Sequence, residues 1–171
     1  MKKPLPSAPN HMNKELLLDT LLAELKANLD SLVHAAFVAK EAATSEESKA
    51  ENKYDTRGLE ASYLAGAQAK RAEDLKASIY KIQKLSLRSF AANDAVSVSA
   101  VIKVIIDEAT ERLFFLLPSA GGQKIMHAGA TYHVITPESP VGSVLVGKKL
   151  NDAFQVKMNQ KTFEYELVEL F

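Results

Sequence analysis

Apolar residues recur alternately three and four positions apart along the first half of the chain. Between Asn13 and Ala43 there is neither Pro nor Gly. The apolar positions with this spacing are Leu18, Leu22, Leu25, Leu29, Leu32, Ala36, Ala39 and Ala43. The same spacing returns from about Glu51 to Leu85, at Tyr54, Gly58, Ala61, Ala65, Gln68, Ala72, Leu75, Ile79 and Ile82. It is typical of a coiled-coil seam, so two long helices joined by a short turn are predicted to form an antiparallel hairpin.

Residue size changes along the predicted seam. The open end has the large residues Leu18, Leu22 and Leu25 against Leu75, Ile79 and Ile82. The turn end has the small residues Ala36, Ala39 and Ala43 against Gly58, Ala61 and Ala65. We therefore expect a rod about 45 Å long that is thick at its base and thin at its tip. The spacing alone fits equally well an alanine-rich coiled coil that serves dimerisation.

In the second half of the chain the apolar pattern changes from helical spacing to the spacing of extended strands. Five β-branched or alternating segments predict strands: Val96 to Ile106, Arg112 to Leu117, Thr131 to Thr136, Ala153 to Met158 and Thr162 to Leu170. Asn159 and Gln160 are predicted to form the turn of the last hairpin. Ser139 to Gly147 is predicted to be a short helix, with Ser139 as N-cap and Pro140 at its first position.

These elements predict an α+β chain in which an antiparallel α-helical coiled-coil hairpin precedes a small antiparallel β-sheet domain with one short helix. The predicted units are a disordered tail at 1–12, the hairpin at 13–85, a polar linker at 86–95 and the sheet domain at 96–171.

Composition and charge exclude several classes of protein. The chain is 47% apolar and 25% charged, and its 21 basic residues balance its 21 acidic ones. It is therefore expected to fold and to bind another protein rather than nucleic acid or a membrane directly. The absence of cysteine, of a signal peptide and of any run of about 20 apolar residues favours a cytoplasmic location.

No autonomous catalytic apparatus is recognisable. The four histidines lack metal-ligand spacing, the Gly121–Gly122 pair is not part of a phosphate-binding loop, and no serine stands in a nucleophile elbow. We expect no enzyme activity of the chain by itself and no intrinsic cofactor.

Charged residues gather at the predicted hairpin tip. They are Glu41, Glu46, Glu47, Glu51 and Asp55, with Lys49 and Lys53 among them. Any single carboxylate here is explained by the dipole of the second helix. Together, at the end of a thin projection, they could be delivered into another molecule's active site to ligate magnesium.

Two separate segments resemble one protein family. Glu51-Asn52-Lys53-Tyr54 resembles the coiled-coil tip of the Gre-type bacterial transcription elongation factors. The stretch Thr136 to Lys149, with its Ser-Pro before a small apolar helix that ends in Gly-Lys, resembles the FKBP-like C-terminal domain of that family. The resemblance implies a partner, RNA polymerase, with the C-terminal domain docked on the rim of the secondary channel and the coiled coil projecting down the channel.

The same resemblance implies roles for tip residues. Glu51 takes the place of the family's glutamate and Asn52 that of its neighbouring asparagine, but Ser48 stands where the family has aspartate. Glu47 could replace that aspartate, with Glu46 in reserve. Such a pair would help to hold a magnesium ion shared with the polymerase, which activates a water to hydrolyse backtracked RNA.

Further candidates follow from the resemblance. Ser139 and Pro140 are candidates for polymerase docking. Contact with the nascent RNA is assigned to basic residues near the tip: Lys40, Lys49, Lys53 and Arg57. The factor is expected to be a monomer.

Three alternatives remain open at this point. Because of Ser48, the chain could occupy the channel and inhibit without cleavage. An FKBP-like domain could instead be a prolyl isomerase or chaperone, for which aromatic candidates are Phe114, Tyr132, Phe154 and Tyr165. A coiled-coil protein could also self-associate through its leucine-rich end.

Overall fold

The computed structural model describes residues 13–45 and 56–171, and the first of its elements form a helical hairpin. Helix α1 spans Lys14–Thr44 and helix α2 spans Arg57–Gln83. Asn13 caps α1, since its side chain accepts a hydrogen bond from the backbone N–H of Leu16 at 3.0 Å. Every described position of the predicted seam is buried or half-buried. The hairpin prediction is thus confirmed, while the predicted tail and the tip turn lie outside the described residues.

Six strands form one sheet after the hairpin. They are β1 (Val101–Ile106), β2 (Thr110–Leu116), β3 (Lys124–His127), β4 (Ala130–Ile135), β5 (Ala153–Met158) and β6 (Lys161–Leu170). Their order is β3-β4-β2-β1-β6-β5, and all neighbours are antiparallel except the parallel pair β2–β4. The sequence did not predict β3, because four residues are too few for a visible alternation.

The first strand begins later than the sequence pattern predicts. The continuous apolar run suggested a strand from Val96, but β1 starts at Val101. Ser99 has a φ of 80°, which breaks the extended backbone. Val96 still pairs through its main chain, with Gly147 and Lys148 at 2.9 and 2.8 Å, so it closes the core rather than extending the ladder.

Helix α3 (Pro140–Leu145) and the hairpin base pack on opposite faces of the sheet. The core on the α3 face contains Ile102, Val104, Phe114, Leu116, Val141, Leu145, Tyr165 and Leu167. The core on the hairpin face contains Leu17, Leu18, Leu21, Leu25, Ile79, Ile82, Val101, Phe115, Ile125, Tyr132 and Val134. The sheet domain and the hairpin therefore share one hydrophobic core at the hairpin base.

Polar contacts add to this attachment. The Ser119 hydroxyl donates to the carbonyl of Ser78 on α2 at 3.0 Å. The Lys14 ammonium donates to the carbonyls of Arg88 and Ser99 at 2.6 and 3.0 Å and lies over the Phe90 ring. Burial, and then the charge of Arg88, lowers the pKa of Lys14 to about 8. At the base of the rod, α1 is therefore bonded to the segment that leads into β1, and α2 is bonded to the loop that follows β2.

No helix in the described part of the chain has the length and apolarity needed to cross a membrane.

Candidate functional site

The hairpin changes character along its length. We call residues 30–45, which contain the end of α1, and residues 56–70, which contain the start of α2, the distal hairpin. Leu17 and Leu21 at the base have no solvent exposure. Of the described α1 residues in the distal hairpin, Ala39 alone is buried. The seam there is made of small side chains, so the two helices cover little of each other's surface.

Large apolar side chains are exposed on the distal hairpin. They are Val33, Phe37, Val38, Leu59, Tyr63 and Leu64. Phe37 is 57% exposed and Tyr63 is 72% exposed. Val33 and Phe37 are four residues apart on α1, as are Leu59 and Tyr63 on α2, so each pair forms a contiguous surface on its helix. Sequence reasoning missed these residues, although their positions outside the seam period were a visible signal.

The candidate tip residues divide between described and undescribed parts of the chain. Lys40 and Arg57 are exposed at the described end of the hairpin, in the last part of α1 and at the start of α2. The other candidates lie outside the described residues: Glu46, Glu47, Ser48, Lys49, Glu51, Asn52 and Lys53. The structure therefore brings two of the four predicted RNA-contact residues to the same end of the rod, and the roles of all four remain predictions.

Ser139 and Pro140 lie far from the tip in sequence and start helix α3. The Ser139 Oγ accepts from the backbone N–H of Gly142 at 3.1 Å and donates to the carbonyl of Thr136 at 2.7 Å. The predicted N-cap is therefore confirmed. Since both bonds are internal, the hydroxyl fixes the start of α3, while the exposed Pro140 ring faces solvent.

A shallow groove of about 240 Å³ lies beside the start of α3. It is lined by Phe114, Gly121, Gly122, Gln123, His133, Val134, Ile135, Ser139, Pro140 and Val141. We call it the α3 groove. Its lining is mainly apolar, with backbone and small side chains on the Gly121–Gly122 side, so it can accept an apolar side chain of a partner.

The N-cap gives a direct stability prediction. Ser139→Ala removes the acceptor for the Gly142 N–H and is expected to lower the free energy of unfolding by about 1 kcal/mol. Ser143→Ala is the matched control, because the exposed Ser143 hydroxyl only bonds back to the carbonyl of Pro140 at 3.2 Å. Chemical denaturation of both variants checks this. Equal stability of the two would show that the Ser139 cap contributes nothing.

The four aromatic residues considered for an isomerase pocket are core residues. All four are buried, with exposures of 8% or less. Tyr132 belongs to the core on the hairpin face, whereas Phe114, Phe154 and Tyr165 belong to the core on the α3 face. Phe154 stacks on Tyr165 with ring centroids 5.4 Å apart. They therefore do not line one concave pocket.

A cavity of about 610 Å³ is lined by residues of both faces of the sheet, Arg112 and His133 among them, and holds a satisfied ion network. Lys103 lies between Glu111 and Glu169, at 3.0 and 3.4 Å. The hydrogen bond to Glu111 is the main cause that raises the pKa of Lys103. A cation already paired with two carboxylates offers little to a ligand, so we assign this cavity no chemistry.

Metal-ligating side chains do not cluster in the described ranges. Within residues 13–45 and 56–171, no group of three His, Cys, Asp or Glu side chains could hold a metal ion. The carboxylates considered for magnesium belong to the tip turn, outside these ranges.

No protein-family model and no curated protein matches the sequence. Among solved structures, the chain is similar to GreA factor homolog 1 of Thermus thermophilus, with 15% identity and a TM-score of 0.37 over 88% of this chain and 94% of that one. It is similar to Gfh1 of Thermus aquaticus, with 15% identity and a TM-score of 0.39 over 92% and 93%. It is also similar to the elongation factor GreA/GreB of Nitrosomonas europaea, with 20% identity and a TM-score of 0.36 over 58% and 78%. Likenesses at this level transfer no residue role to this chain.

Proposed function

We propose that the chain is an accessory factor of bacterial RNA polymerase. Its sheet domain docks on the rim of the secondary channel, and its hairpin enters the channel so that the acidic tip stimulates cleavage of backtracked RNA. The factor acts as a monomer in the cytoplasm and has no catalysis of its own. The proposal starts from the two sequence segments that resemble Gre-type factors. One segment belongs to the predicted hairpin tip and the other to the sheet domain.

The observation that carries the proposal is the exposed apolar surface of the distal hairpin. Phe37 and Tyr63 are more than half exposed, whereas Leu17 and Leu21 at the base of the same rod have no solvent exposure. Apolar surface of this kind has no stabilising role in the free protein and favours a partner that covers it. A hairpin inserted into a protein channel is covered from several sides at once.

Anchorage of the rod supports the same proposal. Leu17, Leu21 and Phe115 are fully buried where the hairpin meets the sheet. A tip delivered into another protein's active site must be held in a defined direction, because a small displacement of a catalytic group costs much of its effect. The shared core supplies that rigidity.

The base of the hairpin argues against self-association through the leucine-rich end. Leu18 and Leu25 of α1 pack with Ile79 and Ile82 of α2 and with residues of the sheet. A second copy would have to displace a core that the chain already completes by itself.

The start of α3 supports a docking role for the sheet domain. The Ser139 cap presents Pro140 beside the α3 groove. An exposed ring next to a shallow apolar groove fits the surface of a helix or loop on another protein. Ser139 would act by shaping this surface and Pro140 by touching the partner.

At the tip, Glu51 and Glu47 would help to hold a magnesium ion of the polymerase, with Glu46 and Asn52 beside them. The ion would lower the pKa of its bound water and neutralise charge on the phosphate. The chain contributes the carboxylates and their position. Lys40 and Arg57, with Lys49 and Lys53, would contact the phosphates of the extruded RNA.

One observation favours a second function. Ser48 stands where the family's motif has aspartate, and a hydroxyl is a weaker magnesium ligand than a carboxylate. A tip with only one well-placed carboxylate would fill the channel and inhibit elongation. An isomerase has no such support, since the aromatic candidates are buried on two faces of the sheet.

Stalled, backtracked elongation complexes with magnesium test the function. We expect the full chain to bind core RNA polymerase in a pull-down and to shorten the 3′ end of the RNA faster than polymerase alone. Binding without shortening, together with slower elongation, would replace stimulation by inhibition. Absence of binding would refute both versions.

A further inference from the structure

The sheet surface beside the α3 groove carries three basic side chains as neighbours. His133 of β4 pairs with Phe114 of β2 on one side and with Lys124 of β3 on the other. Directly paired residues of adjacent strands share a face, and so do residues two apart on one strand. Arg112, two positions before Phe114 on β2, therefore lies on the same face. Because Phe114 belongs to the core beneath α3, this is the α3 face.

We call Arg112, Lys124 and His133 the basic row. Arg112 and Lys124 are exposed, and His133 is half-buried with its ring edge-on to Phe114 at 6.2 Å. Burial is the main cause that lowers the pKa of His133, and the charges of Arg112 and Lys124 lower it further. At neutral pH the row is therefore two cations on either side of an uncharged imidazole, which can still donate a hydrogen bond.

Within the described residues Arg112 and Lys124 form no ion pair, although Arg112 and His133 also line the cavity that holds Glu111 and Glu169. The ion pairs there join other groups: Lys70 with Asp74, and Lys103 with Glu111 and Glu169. The contrast with Lys103 is informative, since that cation on the opposite face of the same sheet has two carboxylates. The exposed Glu138, in the loop before α3, forms no ion pair with the row.

The row is also a local feature of a chain without net charge. The sequence has as many acidic as basic residues. Two unpaired cations beside an apolar groove are thus an arrangement of this surface and not a consequence of overall basicity. His133 lines the groove and belongs to the row, so the two are continuous.

We infer that the α3 groove and the basic row form one docking surface for an acidic segment of RNA polymerase, in which an apolar side chain enters the groove and a neighbouring carboxylate contacts Arg112. This inference rests on the proposed function and names the chemistry of the partner. The planar guanidinium binds a carboxylate through two parallel hydrogen bonds, and the His133 imidazole can donate a third. Lys124 adds attraction over a longer distance.

The test is affinity of the full chain for core RNA polymerase, measured at two salt concentrations. The variant is Arg112→Glu/Lys124→Glu. The matched control is Lys157→Glu/Lys161→Glu, which reverses two exposed lysines at the β5–β6 turn and changes the net charge equally. Circular dichroism verifies the fold of both, and Arg112→Gln/Lys124→Gln provides a second variant without added repulsion.

We expect the row reversal to weaken binding at least about tenfold, the glutamine variant to weaken it less, and the control to change it less than about threefold. The wild type should also lose affinity more steeply with salt than the glutamine variant. If the wild type binds and the row reversal binds as well as the control, the inference is wrong while the proposed function stands. If the row reversal and the lysine control lose affinity equally, the effect comes from net charge and the inference is refuted. If the wild type does not bind polymerase, the proposed function fails and the inference with it.

Discussion

Glu51→Ala is expected to return RNA cleavage in backtracked complexes to the rate of polymerase alone while leaving polymerase affinity unchanged. The resemblance assigns Glu51 the place of the family's glutamate in the pair that helps to hold the magnesium ion. A metal ligand acts in the transition state, where charge stabilisation of several kcal/mol corresponds to a rate change of about 100-fold or more. In the proposed function docking uses the sheet domain at the other end of the chain, so the affinity for polymerase should not respond.

Glu24→Ala is the matched control for this variant. Glu24 is an exposed glutamate of α1 near the hairpin base, so its removal makes the same chemical change away from the tip. Cleavage and binding are measured for both variants with the same polymerase. A loss of binding equal to the loss of cleavage in Glu51→Ala would assign Glu51 a structural role. Unchanged cleavage would show that other carboxylates serve, and Glu47→Ala then becomes the decisive variant.

Gly142→Ala is expected to lower the free energy of unfolding by about 3 kcal/mol or more. A Cβ at this position would overlap the carbonyl oxygen of Thr136 and lie 2.8 Å from the Ser139 Oγ. Both atoms belong to the N-cap of α3 and cannot withdraw without breaking it. Overpacking against fixed backbone atoms is among the costly kinds of substitution.

Gly66→Ala is the control with the opposite expected sign. Gly66 lies inside α2, and a Cβ there would meet nothing within 4 Å. Alanine should stabilise the helix by about 0.5–1 kcal/mol. Both substitutions restrict the unfolded chain similarly, so their difference in chemical denaturation measures the steric contact at α3. A loss below about 1 kcal/mol in Gly142→Ala would mean that the Thr136 segment moves aside readily.

The sequence predicted those parts of the candidate site that depend only on neighbouring residues in the chain. Ser139 followed by Pro140 predicts a capped helix start from two adjacent residues, and the cap is present. The basic row could not be predicted, because Arg112, Lys124 and His133 come from three strands whose register the sequence does not specify. In particular, the parallel pairing of β2 with β4 is what brings His133 next to Phe114.

The sequence by itself determined the two periods, and with them the hairpin, the later sheet and the short helix. An apolar spacing that alternates three and four residues predicts two helices with a shared seam, and Asn159–Gln160 between alternating segments predicts the hairpin turn that joins β5 to β6. Local spacing suffices there because the contacts join residues of the same helix pair or the same turn.

Only the tertiary structure decided which apolar residues outside the seam would be covered. Leu17 and Leu21 are fully buried against the sheet, whereas Phe37 and Tyr63, equally outside the seam, remain exposed. Nothing in the helical period separates the two pairs. The difference arises because the sheet covers only the base of the rod, and that depends on a core shared by Leu17 and residues such as Phe115, which are far apart in the chain.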